Sequence, residues 1–375
     1  VSPATLQACE ACRLRTRLLA ELAGHLDRRP RERRRLAALL ALSDERLLDS
    51  VGARQLGVAT GEAQGTGEAR WAAGSRGPRA RGADGAAAEY NAELCRHDSR
   101  YPEGLRALSA SPAVLHLGGD PGRVLALLQA PAVALVGARS PTDYGRAVGR
   151  DLAAALAASG VCVVSGMAMG VDAEAHAGAL GAGGPTLAVL PGGVDVAYPA
   201  AARALHRRLL SEGGAVSEMP RGMAPRRWCF VARNRIVAGL ARVTVVVEAR
   251  ERSGTLITAG YARDLGRDVA AVPGPVSSSL SAGTNALIRD GAHLVRGAAD
   301  VLDLLYGVGA RPPAAPALEP RLAGVLERVR SGQDTPEALA TAGLDLDEAL
   351  AALAELELLG CVRRGLSGRY VAAAA

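Results

Sequence analysis

The sequence predicts an α/β fold, a parallel sheet with helices on both faces, from two patterns between residues 89 and 308. Short β-branched runs recur there: Val133–Val136, Val161–Ser165, Thr186–Leu190, Ala215–Ser217, Val243–Val247, Val269–Val272 and His293–Val295. Amphipathic stretches of helical length separate most of them, such as Gly145–Ser159, Ala200–Glu212 and Thr255–Leu265. A strand that is apolar throughout must be covered on both sides, and alternation with helices supplies the cover. The core is therefore Rossmann-like, and such a sheet binds ligands at the carboxyl ends of its strands.

At 375 residues the chain has room for further units. Residues 1–56 read as a small helical domain. Leu14, Leu18, Leu19 and Leu22, then Leu36, Leu39 and Leu40, then Leu47 and Leu48 recur at helical spacing, and Ser43 marks a helix start. Residues 57–88 are rich in Gly, Ala and Arg without periodicity, the pattern of a flexible linker. A Pro-rich linker at 309–320 precedes a last unit, 321–375. In that unit Leu322–Val329 forms one helix, Thr335 caps a second with Pro336 at its first position, and Leu346–Leu359 forms a third. A hairpin over 360–365 and 369–371 completes a winged-helix plan. The third helix carries Asp347, Glu348, Glu355 and Glu357, which suits a protein contact better than a groove lined by phosphates.

Composition narrows the function classes. All 44 basic residues are Arg, and the net charge of +6 permits a polyanionic partner without requiring one. Six cysteines spread over the whole length do not form a secreted disulfide framework. No signal-peptide pattern opens the sequence, and no apolar run reaches the ~18–20 residues of a membrane helix, so a cytoplasmic protein without a membrane partner is expected. Cys9 and Cys12 form one Cys-x-x-Cys, only half of a zinc ligand set. With His25 and Cys95 far off in sequence, no metal is expected.

The loops after the strands carry the candidate chemistry. The first strand runs into Gly137-Ala138-Arg139-Ser140-Pro141-Thr142 ahead of a helix, where backbone N–H groups and Arg139 favour an anion. The nicotinamide fingerprint and the Lys-bearing P-loop are both absent, so no nucleotide cofactor is expected. The second strand ends at Ser165-Gly166 and continues through Met169-Gly170 to Asp172 and His176, spaced i, i+4. That spacing permits an acid–base pair, but a capping Asp beside a His is the commoner arrangement, so no catalytic residue is assigned. The third strand leads into Pro191-Gly192-Gly193, then Tyr198-Pro199. It resembles the opening of lysine-decarboxylase-like nucleotide hydrolases, but Val194-Asp195-Val196-Ala197 stands where they have Gly-Thr-x-x-Glu.

The most informative stretch is Arg226-Arg227-Trp228-Cys229-Phe230-Val231-Ala232-Arg233-Asn234-Arg235. Here the only Phe of the chain lies among four Arg. Cations beside aromatic faces suit single-stranded nucleic acid, with phosphates neutralised by Arg and bases stacked on rings. A structural role for Arg233 and Arg235, paired to carboxylates at strand ends, is the alternative. Ser253, Gly254 and Thr255 complete the rim where a strand re-enters a helix, with Ser253 a candidate cap and Glu248 a candidate partner for an Arg.

In order along about 200 residues, these segments resemble the DprA/Smf family of DNA-processing proteins. The resemblance rests on Tyr101-Pro102, Val136-Gly137-Ala138-Arg139, Ser165-Gly166 through Asp172, His176, Gly178-Ala179-Leu180, Tyr198-Pro199 and Ser217-Glu218. It continues through Phe230, Arg233-Asn234-Arg235-Ile236, Glu248-Ala249, Ser253–Thr258, Val272-Pro273-Gly274 and Asn285 with Leu287-Ile288. It implies a non-enzymatic mediator of recombination that binds single-stranded DNA in a basic pocket, acts as a homodimer, protects incoming DNA and loads RecA during natural transformation. Arg139, Arg227, Phe230 and Arg233 are the pocket residues it carries over. Family members often have a basic residue directly after the Tyr-Pro turn. Here Ala200-Ala201-Ala202 intervene, so either Arg203 substitutes or one phosphate contact is missing. A Rossmann-like nucleotide hydrolase using Asp172, His176 or Glu248 is the alternative function.

Overall fold

The computed structural model describes residues 6–21, 38, 40–44, 46–47, 92–309, 319–358, 361–365 and 368–372. The expected linker at 57–88 lies outside them, as do Leu22, His25, Leu36, Leu39, Leu48 and most of the Pro-rich linker.

A nine-stranded sheet organises the chain. Seven strands match the apolar runs to within about one residue at either end: β3 (Ala132–Val136), β4 (Cys162–Ser165), β5 (Thr186–Val189), β6 (Gly214–Ser217), β7 (Val243–Val246), β8 (Asp268–Ala271) and β9 (His293–Leu294). They pair in parallel in the order β6-β5-β4-β3-β7-β8-β9. Two strands absent from the sequence reading, β1 (Glu93–Cys95) and β2 (Val114–Gly118), extend the β6 edge antiparallel. The chain moves outward from β3 to β6 and returns to β7 on the other side of β3. Loops at the carboxyl ends of β3 and its neighbours therefore diverge there, opening the crevice where such sheets take ligands.

The interior strands read as continuous apolar runs because both faces are buried; β9, at the edge, is exposed. Ala132, Ala134 and Val136 of β3 belong to one core cluster, and Val133 and Leu135 to the other. Each fully buried Val or Leu in these layers contributes about 1.5–3 kcal/mol. On the second face lie α4 (Asp143–Ala158), α5 (Val171–Gly181) and α10 (Ala298–Tyr306). On the first lie α3 (Pro121–Gln129), α7 (Arg227–Leu240), α8 (Thr255–Asp264) and α9 (Ala282–Arg289), together with the short α2 (Glu103–Arg106). The expected helix from Ala200 begins as a 3-10 turn, Ala200–Ala202, before α6 (Arg203–Glu212). Gly178 lets α5 approach α4 closely, since a Cβ there would meet the Arg150 carbonyl oxygen at 2.2 Å.

The N-terminal α1 (Glu10–Glu21) buries Leu18 and Leu19, with Leu14 packed beside them, as its spacing predicts. Its partners are Trp228, Cys229 and Ala232 of α7, so this helix shares a core with the helix that bears the aromatic–Arg stretch. The Ser43 hydroxyl accepts the Arg46 N–H, as expected of a helix start. Cys9, Cys12, Cys95 and His97 converge, which corrects the expectation that Cys9 and Cys12 lack further metal-binding neighbours: β1 returns Cys95 to the start of α1. At the other end, α11 (Pro320–Arg330), α12 (Pro336–Thr341) and α13 (Leu346–Leu358) share one core cluster with the β10–β11 hairpin (Val362–Arg364 and Tyr370–Ala372). The Thr335 hydroxyl caps α12 by accepting the Ala338 N–H at 3.1 Å.

Arg235, expected at a nucleic-acid contact, is interior and only 2 % exposed. Its guanidinium donates to Glu218 Oε1 at 2.6 Å and to the Ala110 and Ala232 carbonyls at 2.8 and 2.7 Å. Glu218 directly follows β6, so the pair ties α7 to the end of a strand, the structural alternative read from the sequence. Glu218→Ala should therefore destabilise the fold by about 3–5 kcal/mol, because a buried charge loses its partner. Urea unfolding checks this; a loss below about 1 kcal/mol would show that the pair does not hold the two elements together.

Candidate nucleic-acid interface

Three loops meet at the carboxyl edge around β3. β3 and β4 are neighbours, so the turns after them touch: the Val171 N–H donates to the Ala138 carbonyl at 3.1 Å. Gly170, at φ +85°, allows this approach, since a Cβ there would meet the Ala138 oxygen at 2.3 Å. Gly137 is likewise held bare by Val171 beneath it. From the β7 side, the Thr255 hydroxyl donates to the Gly137 carbonyl at 2.9 Å. The Ser253 hydroxyl accepts the Thr255 N–H at 3.2 Å, but the N-cap position of α8 is Gly254 and no side chain caps it, so Ser253 is not the cap the sequence suggests. Asn234 of α7 donates to the Gly254 carbonyl at 3.5 Å.

Arg233 lies under this edge rather than on it. It is 6 % exposed and donates through one Nη1 to the Gly166 and Val189 carbonyls, joining the turns after β4 and β5 to α7. That corrects the expectation of a direct phosphate contact, because the guanidinium is buried and its Nη1 is held by backbone oxygens. Burial draws Arg233 down to about 10, with the charge of Arg139 acting the same way and Asp172 opposing it. The group is therefore still a cation at neutral pH.

The exposed surface is built on Phe230. The Arg139 guanidinium lies 5.1 Å from its ring centroid, a cation–π distance. The Tyr198 ring lies 5.4 Å away on a 59° tilt. Phe230 is half-buried, Arg139 is exposed and Tyr198 is 45 % exposed. Among the described residues no carboxylate lies within ion-pair distance of Arg139. The solvent-facing aromatic surface thus belongs mostly to Tyr198, which the sequence reading passed over as part of a Tyr-Pro motif. Its signal was position, since it lies in the same loop as the Gly-Gly turn after β5. Ser140, Met169, Arg203, Arg227 and Gly254 are also exposed, at loops or helix starts. Arg250 and Arg252 stand exposed in the loop leading to Ser253, a basic pair the sequence reading did not single out.

The residues considered for catalysis are built into the fold. Ser165 is fully buried and donates to the Leu135 carbonyl at 2.6 Å, so it is neither a nucleophile at a surface nor a ligand contact. Gly166 is buried too, with the Arg233 guanidinium where a Cβ would stand. Asp172 accepts the Gly166 and Ala168 N–H groups at 3.2 and 3.4 Å and bonds its own loop rather than His176. Burial raises the Asp172 carboxyl, against the opposing pull of Arg233. His176 Nδ1 pairs with the Thr186 hydroxyl at 2.8 Å, and that hydroxyl donates to the Val163 carbonyl. Burial pushes His176 down to about 3, so the imidazole is neutral. Glu248, expected to partner an Arg, instead accepts the backbone N–H and hydroxyl of Thr142 at 2.9 and 2.6 Å. It thereby fixes the residue that caps α4.

The family model for DNA recombination-mediator protein A matches residues 93–306. Protein Smf of Synechocystis is 36 % identical, over 74 % of this chain and 79 % of the relative. A putative DNA processing protein DprA of Mycobacterium tuberculosis (H37Rv) is 52 % identical over 178 residues, but the match spans only 46 % of that relative's length. The solved DNA processing protein A of Streptococcus pneumoniae superposes with a TM-score of 0.59 at 28 % identity, covering 79 % of this chain and 96 % of that one. DNA processing protein A of Helicobacter pylori, solved for its single-stranded DNA binding mode, gives 0.50 at 30 % identity over 54 % and 91 %.

His176 makes the edge sensitive to acid. Its folded value lies below the unfolded 6.5, so its contribution is complete above pH 6.5 and is lost as pH falls toward 3, by up to about 1.4 kcal/mol per pH unit. Asp172 runs the other way, its contribution fading as pH rises through its folded value. Unfolding free energies of wild type and His176→Gln, measured from pH 7.5 to 4, should converge as pH falls. Parallel curves would mean that His176 is not held neutral.

Proposed function

The chain belongs to the DNA recombination-mediator protein A (DprA/Smf) family, and from that premise we propose that it binds single-stranded DNA across the carboxyl edge of its sheet without covalent chemistry. The carrying observation is the exposed Arg139–Phe230–Tyr198 cluster at the point where the strand order reverses. A guanidinium free of carboxylates offers a phosphate contact, and an adjacent tyrosine face offers a base somewhere to stack, worth about 1–3 kcal/mol per base. Arg227 at the start of α7, Arg203 at the start of α6, and Arg250 and Arg252 extend positive charge along the same rim. The single-stranded DNA binding mode of the Helicobacter pylori relative supports the same reading for this chain.

A non-catalytic role fits the burial of Ser165, Asp172 and His176, each bonded within the fold. The nucleotide-hydrolase alternative loses its residues for the same reason, and Glu248 is committed to Thr142. Protection of incoming DNA, loading of RecA during natural transformation, assembly as a homodimer and a cytoplasmic site of action complete the proposal; they rest on family membership. The acidic, exposed face of α13 supports a protein-contact role for the C-terminal unit rather than a second DNA groove.

Fluorescence anisotropy of labelled oligo-dT at several salt concentrations, with duplex as competitor, tests the proposal. Arg139→Ala should weaken binding and flatten the salt slope by about 0.7. Tyr198→Ala should weaken binding by about 1–3 kcal/mol with little change of slope, because stacking releases no counterions. Phe230→Ala should lower both affinity and slope, since it supports both partners. Folded wild-type protein that fails to bind oligo-dT at low salt would end the single-strand reading.

A further inference from the structure

At the edge of the sheet farthest along the chain order from β9, four metal-binding side chains meet. Cys9 caps the start of α1, its carbonyl accepting the Arg13 N–H at 3.1 Å, and Cys12 lies in the first turn. Cys95 is the last residue of β1, and His97 lies in the tight turn that follows, closed by the Asp98 N–H on the Cys95 carbonyl at 2.9 Å. Their three Sγ atoms and one imidazole nitrogen all lie within 4.8 Å of one another. Cys9 Sγ and Cys12 Sγ each stand 3.4 Å from the same atom, His97 Nδ1. Tetrahedral zinc, with Zn–S of about 2.3 Å and Zn–N of about 2.0–2.1 Å, sets sulfur and nitrogen about 3.5 Å apart. None of the four thiols and imidazoles belongs to the DNA edge, and no disulfide joins the cysteines.

We propose that Cys9, Cys12, Cys95 and His97 form a structural zinc site that clamps the N-terminal helix to the edge strand of the core. Three thiolates and one imidazole are a closed four-ligand set of the structural kind, with no position left for water or substrate. Soft sulfur donors favour zinc over magnesium or calcium. Coordination takes up one zinc ion and releases the thiol protons to solvent, so no oxidant or reductant enters. The surroundings are already arranged for it. Ala8, Ala113 and Val114 pack around Cys12 and Cys95 as a small apolar shell. Two contacts repeat the same join: the Glu93 N–H donates to the Leu6 carbonyl at 2.8 Å, and Arg13 pairs with Glu93 at 2.6 Å. The clamp matters because α1 forms a core with Trp228, Cys229 and Ala232, the buried side of the helix that carries Phe230.

Full-length protein, grown with zinc and purified under reducing conditions without chelator, should carry about one zinc per chain by elemental mass spectrometry. Cobalt(II) taken up in its place should show the intense red-region absorption and the thiolate charge-transfer band of a sulfur-rich tetrahedral site. Cys95→Ser and His97→Ala should each reduce zinc content severalfold, while Cys361→Ser leaves it unchanged. Chelation should lower the wild-type melting midpoint and speed proteolysis within α1. If the two ligand variants fail to fold, the cobalt spectrum of wild type decides the matter alone. Folded, reduced wild type without zinc or a tetrahedral cobalt spectrum would overturn the proposal. So would zinc retained equally by folded Cys95→Ser and His97→Ala, or a Cys9–Cys12 disulfide in the protein as isolated.

Discussion

The carboxyl edge of the sheet depends on a buried cation. Arg233 reaches up from α7 and donates to the carbonyls that close β4 and β5, buried bonds that an apolar side chain would not make. Gly166 must be glycine because the guanidinium occupies the space of its Cβ. Asp172, held by the loop N–H groups, supplies the opposing charge. One side chain thus sets the height of α7 against two strand ends, and with it the position of every residue that α7 presents to solvent.

That arrangement divides the arginines of a single helix between two roles. Arg233 and Arg235 are buried and serve the fold, one on backbone oxygens and the other on Glu218. Arg227 and Phe230 lie toward the helix start and the open edge, where Arg139 and Tyr198 join them from other loops. Position along the helix makes the split: Arg227 and Phe230 lie in its first turn at the open edge, and Arg233 and Arg235 lie further in, where the helix is buried. A stretch that looks uniformly basic in sequence therefore delivers only part of its charge to the surface.

The N-terminal segment is bound to this scheme from behind. Its helix completes the core under Trp228, so anything that fixes α1 also fixes the underside of α7. A four-ligand clamp between the start of α1 and the end of β1 acts at the far end of that contact. A small apolar interface of this kind gains from such a staple, because one helix alone buries little surface.

The sequence by itself determined the parallel core. Strands buried on both faces must read as continuous apolar runs, and the parallel strands inside the sheet are visible that way, whereas β9 at its edge is exposed. Thr335-Pro336, Ser43 and the leucine spacing of α1 were legible for the same reason, since caps and periodicity are local. The short β1 and β2 escaped notice because β1 leaves only three residues to read, and in β2 His116 and the closing Gly118 interrupt the apolar pattern. Which arginines face solvent, that Glu248 holds Thr142 and that Tyr198 shares Phe230 were decided only by tertiary structure. Each is a contact across tens of residues, and sequence spacing carries no record of it. The meeting of Cys9 and Cys12 with Cys95 and His97 is the plainest case: two short motifs far apart along the chain become one site only when β1 takes its place at the edge of the sheet.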